Sequence, residues 1–269
     1  MAKYDGGACI ICGDPAIEAH LFPKAFCKLL PLDDNDNPIS DFPVVELDKK
    51  SKFYPSKTGV RDNSILCQKC DNLLGVLDKY AFEKLEEFKS EYIYPNRREL
   101  IRQELSVPEY ILHKSNICGE KLLLFALSVI WRFSVSRCYG NDLHLGPYKD
   151  LIKRVLFNGE PLPPSVDGHV TVVVTENRGG ENNFRTPVSF RINNARAAWF
   201  YLCGFRFVAK FDQRPFYGIP REAMLKNANE VFFLLQPWKG SPEEKIISRF
   251  INEDHPAMKF LSRKLKTKR

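Results

Sequence analysis

Cys9-Ile10-Ile11-Cys12 and Cys67-Gln68-Lys69-Cys70-Asp71 frame the stretch that decides the fold, with Glu18-Ala19-His20-Leu21-Phe22-Pro23-Lys24 between them. Each Cys-x2-Cys pair has the spacing with which a short turn delivers two sulfur ligands to one metal ion. One pair alone is also compatible with thiol redox chemistry. Two pairs supply the four soft ligands of a closed tetrahedral site, so the expected ion is a structural zinc held by Cys9, Cys12, Cys67 and Cys70. Gly13-Asp14-Pro15 closes the first turn as a knuckle whose backbone amides point at the thiolates.

Working outward, residues 17–22 suit a strand that Pro23 breaks, and residues 24–30 suit a brief helix before Pro31. Residues 31–62 are rich in Asp, Asn, Pro and Lys, with a weak strand pattern over 42–47, and read as a long insertion or loop. Asp62 and Asn63 lead into the second cysteine pair. From Asp71 to about residue 92, Leu73, Leu74, Leu77, Tyr80, Phe82, Leu85 and Phe88 recur at helical spacing, so this helix starts against the zinc. An acid in the first turn also favours a helix by charge alone, which gives Asp71 a second reading.

The two cysteine pairs, the His-x2-Pro element His20-Leu21-Phe22-Pro23 and the Asn ahead of the second pair resemble the HNH endonuclease family. The resemblance covers roughly residues 7–85 and implies a ββα-metal fold, with a histidine on the first strand facing the start of a helix. It implies His20 as general base, taking a proton from the water that attacks a phosphodiester. It further implies Asn63 as the residue that ties down the loop and orients the imidazole, and Asp71 as a ligand for catalytic Mg²⁺ or Mn²⁺. Ala19 stands where most active members carry a further metal ligand. Glu18 shares a strand face with His20 and is the candidate second ligand. Asp78, seven residues beyond Asp71, falls on about the same helix face.

Beyond the module, residues 95–108 read as a charged connection, and helices are expected over 121–138 and 146–157, the second ending at Asn158-Gly159. Strands are expected over 170–175, 188–192, 198–211 and 231–235, with Asn177-Arg178-Gly179-Gly180 as a hairpin turn. The expected fold class is therefore α+β. A zinc-stabilised ββα-metal, treble-clef-like module over 1–94 is followed over 95–269 by a helical segment, a mostly antiparallel β domain and a basic tail.

The length of 269 residues exceeds the ~100–200 of a typical single domain, in keeping with two parts. Residues 1–90 carry 12 Lys/Arg against 15 Asp/Glu and residues 91–269 carry 28 against 18, so attraction for a polyanion falls to the second part. The Lys/Arg-rich stretch 259–269 is either a solvated tail or a phosphate-contacting arm. The apolar run 122–135 is interrupted by Ser128 and Arg132 and falls short of a membrane span, and no secretory leader is visible, so a cytoplasmic location is expected. Cys27, Cys118, Cys138 and Cys203 are expected in the core, and Arg132 is expected to pair with a carboxylate or face an interface.

These readings lead to a metal-dependent nuclease acting on nucleic acid, DNA in the first instance, with the second part or a regulatory protein partner directing it. The resemblance implies a role of the kind many compact bacterial and phage nucleases have, in restriction, defence against phage or genome processing. The alternative is a zinc-binding module without catalysis that binds nucleic acid or a protein. A Cys-x2-Cys oxidoreductase leaves the second pair and His-x2-Pro without a role.

Overall fold

In the computed structural model, which describes residues 7–27, 60–102, 111–137, 139, 143–174, 184–192, 194–216, 218–242 and 244, the N-terminal elements follow the order strand, helix, strand, helix. These are β1 (Ala19–His20), α1 (Lys24–Cys27), β2 (Arg61–Asp62) and α2 (Gln68–Phe88). A π-helical turn, Lys89–Ile93, passes directly into α3 (Tyr94–Arg102). There follow β3 (Ile111–Ser115), α4 (Gly119–Val135) and α5 (Tyr148–Asn158). The chain then forms β4 (Val166–Val174), β5 (Phe184–Ile192), β6 (Ala195–Leu202), β7 (Phe205–Phe211) and β8 (Val231–Pro237).

β1 and β2 form a small antiparallel pair, with Ala19 opposite Asp62 and His20 opposite Arg61. The other six strands make one sheet in the order β3-β8-β4-β7-β6-β5, antiparallel throughout except for β4 against β8. The chain is thus mixed α+β, with a helical segment and a mostly antiparallel sheet. Among the described residues no helix is long and apolar enough to cross a membrane.

Three local expectations change. The run 198–211, expected as one strand, is two strands turned at Cys203-Gly204, whose φ values of 48° and 90° are those a two-residue hairpin turn demands. The charged connection expected over 95–108 is helical from Tyr94 to Arg102. Pro95 cannot donate a hydrogen bond and its ring crowds the carbonyl four residues back. The helix meets this by widening just before it, where the Tyr94 amide reaches the Lys89 carbonyl. The edge strand β3 has no counterpart among the expected strands. The patterns over 42–47, 177–180 and 259–269 lie outside the described residues.

α4 explains how the layers come together. It is apolar round its circumference and almost wholly buried, as a helix must be when it has neighbours on every side. Phe125 meets Phe200 and Phe207 of the sheet at centroid distances of 6.4 and 5.3 Å. Gly168 of β4 permits the close seat. A Cβ there would stand 2.5 Å from the Val208 carbonyl and 3.1 Å from Leu123 Cδ1 of α4.

The hairpin is packed against the same core. The Phe22 ring contacts Phe133 of α4 at 4.8 Å, Phe184 of β5 at 5.8 Å and Phe200 of β6 at 6.1 Å. Phe26 of α1 meets Phe82 of α2 at 5.2 Å and Phe125 at 5.9 Å. The division expected between residues 94 and 95 falls inside the helical run, and residues from both sides of it belong to one hydrophobic cluster.

Within that cluster α4 carries a buried cation. Arg132, 1% exposed, forms a bidentate pair with Asp78 of α2, so the sequence expectation of a carboxylate partner is met. Its Nη1 also donates to the His20 carbonyl at 3.0 Å, and its Nε and Nη2 donate to the Ser128 carbonyl and hydroxyl. Arg132→Ala leaves the partly buried Asp78 carboxylate without its partner. It is expected to lower unfolding stability by about 3–5 kcal/mol in a denaturant titration, while Arg132→Met combined with Asp78→Leu recovers most of the loss.

Candidate functional site

The first cysteine turn is built by short backbone bonds. Gly13, at φ 84°, lets the chain reverse so that its amide donates to the Cys9 carbonyl at 2.9 Å and the Cys9 amide donates to the Asp14 carbonyl at 2.7 Å. The turn is stitched to the second pair through Ile10 N–H to the Ile65 carbonyl and Ile17 N–H to the Leu66 carbonyl. Cys67 occupies the N-cap position of α2 without a side-chain capping bond, and Cys70 lies in its first turn.

These constraints bring Cys9, Cys12, Cys67 and Cys70 together, every sulfur within 4.8 Å of the others. Cys12 Sγ is 3.5 Å from Cys67 Sγ and 3.8 Å from Cys70 Sγ. Zn–S bonds of about 2.3 Å in a tetrahedron give sulfur–sulfur edges of about 3.8 Å, so the four sulfurs have the spacing of ligands to one ion. The four residues therefore form a group that can hold a metal ion. Among the described residues it is the one cluster of three or more His, Cys, Asp or Glu side chains placed to do so.

The electrostatics point the same way. Burial opposes the Cys9 thiolate, but backbone N–H groups of Cys12, Ile11 and Cys67 bring its pKa down to about 6. For Cys70, burial and then the neighbouring sulfurs of Cys67, Cys9 and Cys12 push the thiol well above its usual range. One thiolate forms readily and inhibits the next. A bound cation removes that conflict by supplying the charge the thiolates share.

Beside the sulfur cluster lies the hairpin. His20 is half-buried on β1 and stands directly across the ladder from Arg61 of β2. Glu18 is exposed and is ion-paired with Arg61, so this acid is held by the residue facing the imidazole. Ala19 is fully buried and points to the other side.

The side chain that ties down the loop before Cys67 is that of Asp62. Its Oδ1 accepts from the Ser64 amide at 2.8 Å and hydroxyl at 2.6 Å, and its Oδ2 from the Ser136 hydroxyl at 2.7 Å and the Arg137 amide at 3.1 Å. Burial works against the Asp62 carboxylate, yet these four donors win and hold its pKa below the usual value. Asn63, the next residue, is half-buried in the bend that follows.

Asp71 sits in the first turn of α2, and Asp78 lies two turns further on. Burial raises the Asp71 carboxyl above its ordinary range, with Arg132 drawing it down and Asp78 pushing it up. Asp71 is half-buried and makes no salt bridge among the described residues.

The structure thus joins the four cysteines as the sequence reading expects. It sets His20 and Asp71 on two elements that both border Arg132, and it engages Glu18 with Arg61 and Asp78 with Arg132. Sequence reasoning passes over Arg61 and gives Asp62 no role, and the one available signal was that an acid beside Asn63 precedes a serine, the pattern of a side-chain-closed turn.

Cys203 is buried and Cys118 half-buried, while the side chains of Cys27 and Cys138 lie outside the described residues. His169 is buried against Phe216, and burial lowers its pKa to about 3. Comparison with family models, curated proteins and solved structures finds no match to this chain.

Metal analysis of the purified chain is expected to find about one thiophilic ion per molecule, with Cys67→Ser or Cys70→Ser abolishing retention and chelation lowering the melting temperature. Asp62→Asn is expected to be less stable than wild type at neutral pH. Because the folded carboxyl lies below its ordinary value of 3.8, the wild-type advantage is complete above that value and closes as pH falls through the folded pKa. Paired denaturant titrations of the two proteins across that range measure the gap directly.

Proposed function

We propose that the chain is a zinc-stabilised, HNH-type endonuclease that hydrolyses phosphodiester bonds of DNA. The observation that carries this reading is the hairpin-then-helix unit β1–β2–α2. It is framed by a four-cysteine cluster, with His20 on its first strand and Asp71 at the start of its helix. Four thiolates in a tetrahedron select zinc and leave it no open position, so that ion holds the fold and takes no part in the chemistry.

In this reading a neutral His20 accepts the proton of a water aligned on the scissile phosphorus. Asp71 offers a hard oxygen ligand for Mg²⁺ or Mn²⁺. Magnesium is bound in many sites by one or two carboxylates completed by substrate phosphates, so a single carboxylate meets the donor requirement once DNA is present. When bound, the cation supplies charge stabilisation at the phosphate and the leaving oxygen. Asp62, with Asn63 beside it, keeps the loop between hairpin and helix in place. The excess of Lys and Arg beyond residue 90 draws the polyanion in.

A second reading is favoured by particular contacts: a zinc module that binds nucleic acid or a protein partner without cutting. Glu18 and Asp78 are both engaged by arginines, and Ala19 carries no ligand atom, which leaves Asp71 as the acid on offer.

Supercoiled plasmid and single-stranded DNA, each with and without added Mg²⁺ or Mn²⁺, separate the two readings. Cleavage is expected with the added metal, and His20→Ala is expected to reduce it by about a hundredfold or more at unchanged zinc content. No cleavage by a folded, zinc-loaded wild type selects the binding module. Equal cleavage by both proteins removes His20 from the reaction.

A further inference from the structure

We propose that Arg132 is a positioning residue for the reaction assigned above to His20 and Asp71, and that it carries the coupling between the sheet half of the molecule and that site. The inference rests on that assignment.

Three elements meet at this guanidinium. α4, packed on the sheet, supplies Arg132; β1 supplies the His20 carbonyl; and α2 supplies Asp78. β1 and α2 carry the two groups on which the proposed chemistry depends. Asp78 lies on about the same face of α2 as Asp71, so fixing Asp78 fixes the rotation of the helix about its axis and hence the direction of Asp71. The bond to His20 is made at the backbone. It sets the height of the strand at the residue that bears the imidazole and leaves the ring to its own task.

The planar fork is what makes this possible. One Nη1 serves both Asp78 Oδ2 and the His20 carbonyl, each at 3.0 Å, while Nη2 serves Asp78 Oδ1 and the Ser128 hydroxyl. The Ser128 carbonyl and hydroxyl hold the guanidinium from its own helix one turn back, so the fork has a fixed direction. A lysine has a point charge on a flexible stem and cannot hold both neighbours in one plane. A shift of about 1 Å between a base and a metal ligand costs up to about a hundredfold in rate, which makes such a clamp consequential.

The test measures kcat and KM for metal-dependent cleavage, together with zinc content and melting temperature, in three proteins. These are wild type, Arg132→Lys, and Arg132→Met combined with Asp78→Leu. The double variant guards against misfolding by removing both charges. The expected result is a kcat lowered by about tenfold to a hundredfold in both variants, with KM for DNA, zinc content and the His20 requirement unchanged. A folded double variant with wild-type kcat overturns the inference while leaving the nuclease reading intact. Loss of activity only in step with loss of zinc or of folding also overturns it, because Arg132 then serves the fold alone. Absence of cleavage by wild type overturns the nuclease reading itself and the inference with it.

Discussion

Four thiolates packed within 5 Å cannot all carry their charge without a cation among them, and the organisation of the N-terminal part follows from that constraint. The knuckle at Cys9 and Cys12 is too short to form a core of its own. The hairpin of two-residue strands is too small to persist unaided. What fixes them is a shared junction with the first turn of α2, where two sulfurs arrive on a long, well-packed helix. An ion held by the four sulfurs would couple its binding to the folding of this junction, on which the placement of His20 and Asp71 also rests.

The second constraint comes from the opposite side. A buried guanidinium is costly unless each face of it is satisfied, and α4 presents one within a mostly apolar surface. The neighbours that satisfy it are drawn from the hairpin and from α2, so the demand of one charge aligns three elements that hydrophobic contact alone would leave free to slide. Asp62 repeats the device at the other strand of the hairpin, reaching Ser136 and Arg137 just past the end of α4. Polar contacts at both strands thus lock the small unit to the large one, with the Phe22 cluster filling the space between.

How much of this could be read in the sequence depends on the range of the interaction concerned. The cysteine pairs were legible because ligand spacing is local, and the helix behind Cys70 because its apolar cadence is regular. Gly159 marked the end of α5, where it adopts a φ of 69°. The hairpin at Cys203-Gly204 was hidden because apolar residues flank the turn on both sides, and one unbroken run looks like one strand. Pro95 read as a break because the sequence gives no sign that a wider turn could precede it. The long-range partners, Arg61 for Glu18, Ser136 for Asp62, and Asp78 and Arg132 for one another, were out of reach by number. Each lies tens of positions from its residue and is chosen by packing that only the assembled layers define.

The widened turn at Lys89–Ile93 has a consequence for the history of the chain. A π turn amounts to one residue more than an α-helix needs, and it rotates everything after it by about 100° relative to what came before. α3 faces the core through Leu100 in that rotated frame, and Lys89, 2% exposed and paired with Glu86, occupies the seam. Loss of a single residue from this turn would restore a regular spiral and swing Leu100 toward solvent. The length of the helical run from Cys70 to Leu100 is therefore counted in residues that cannot be removed one at a time.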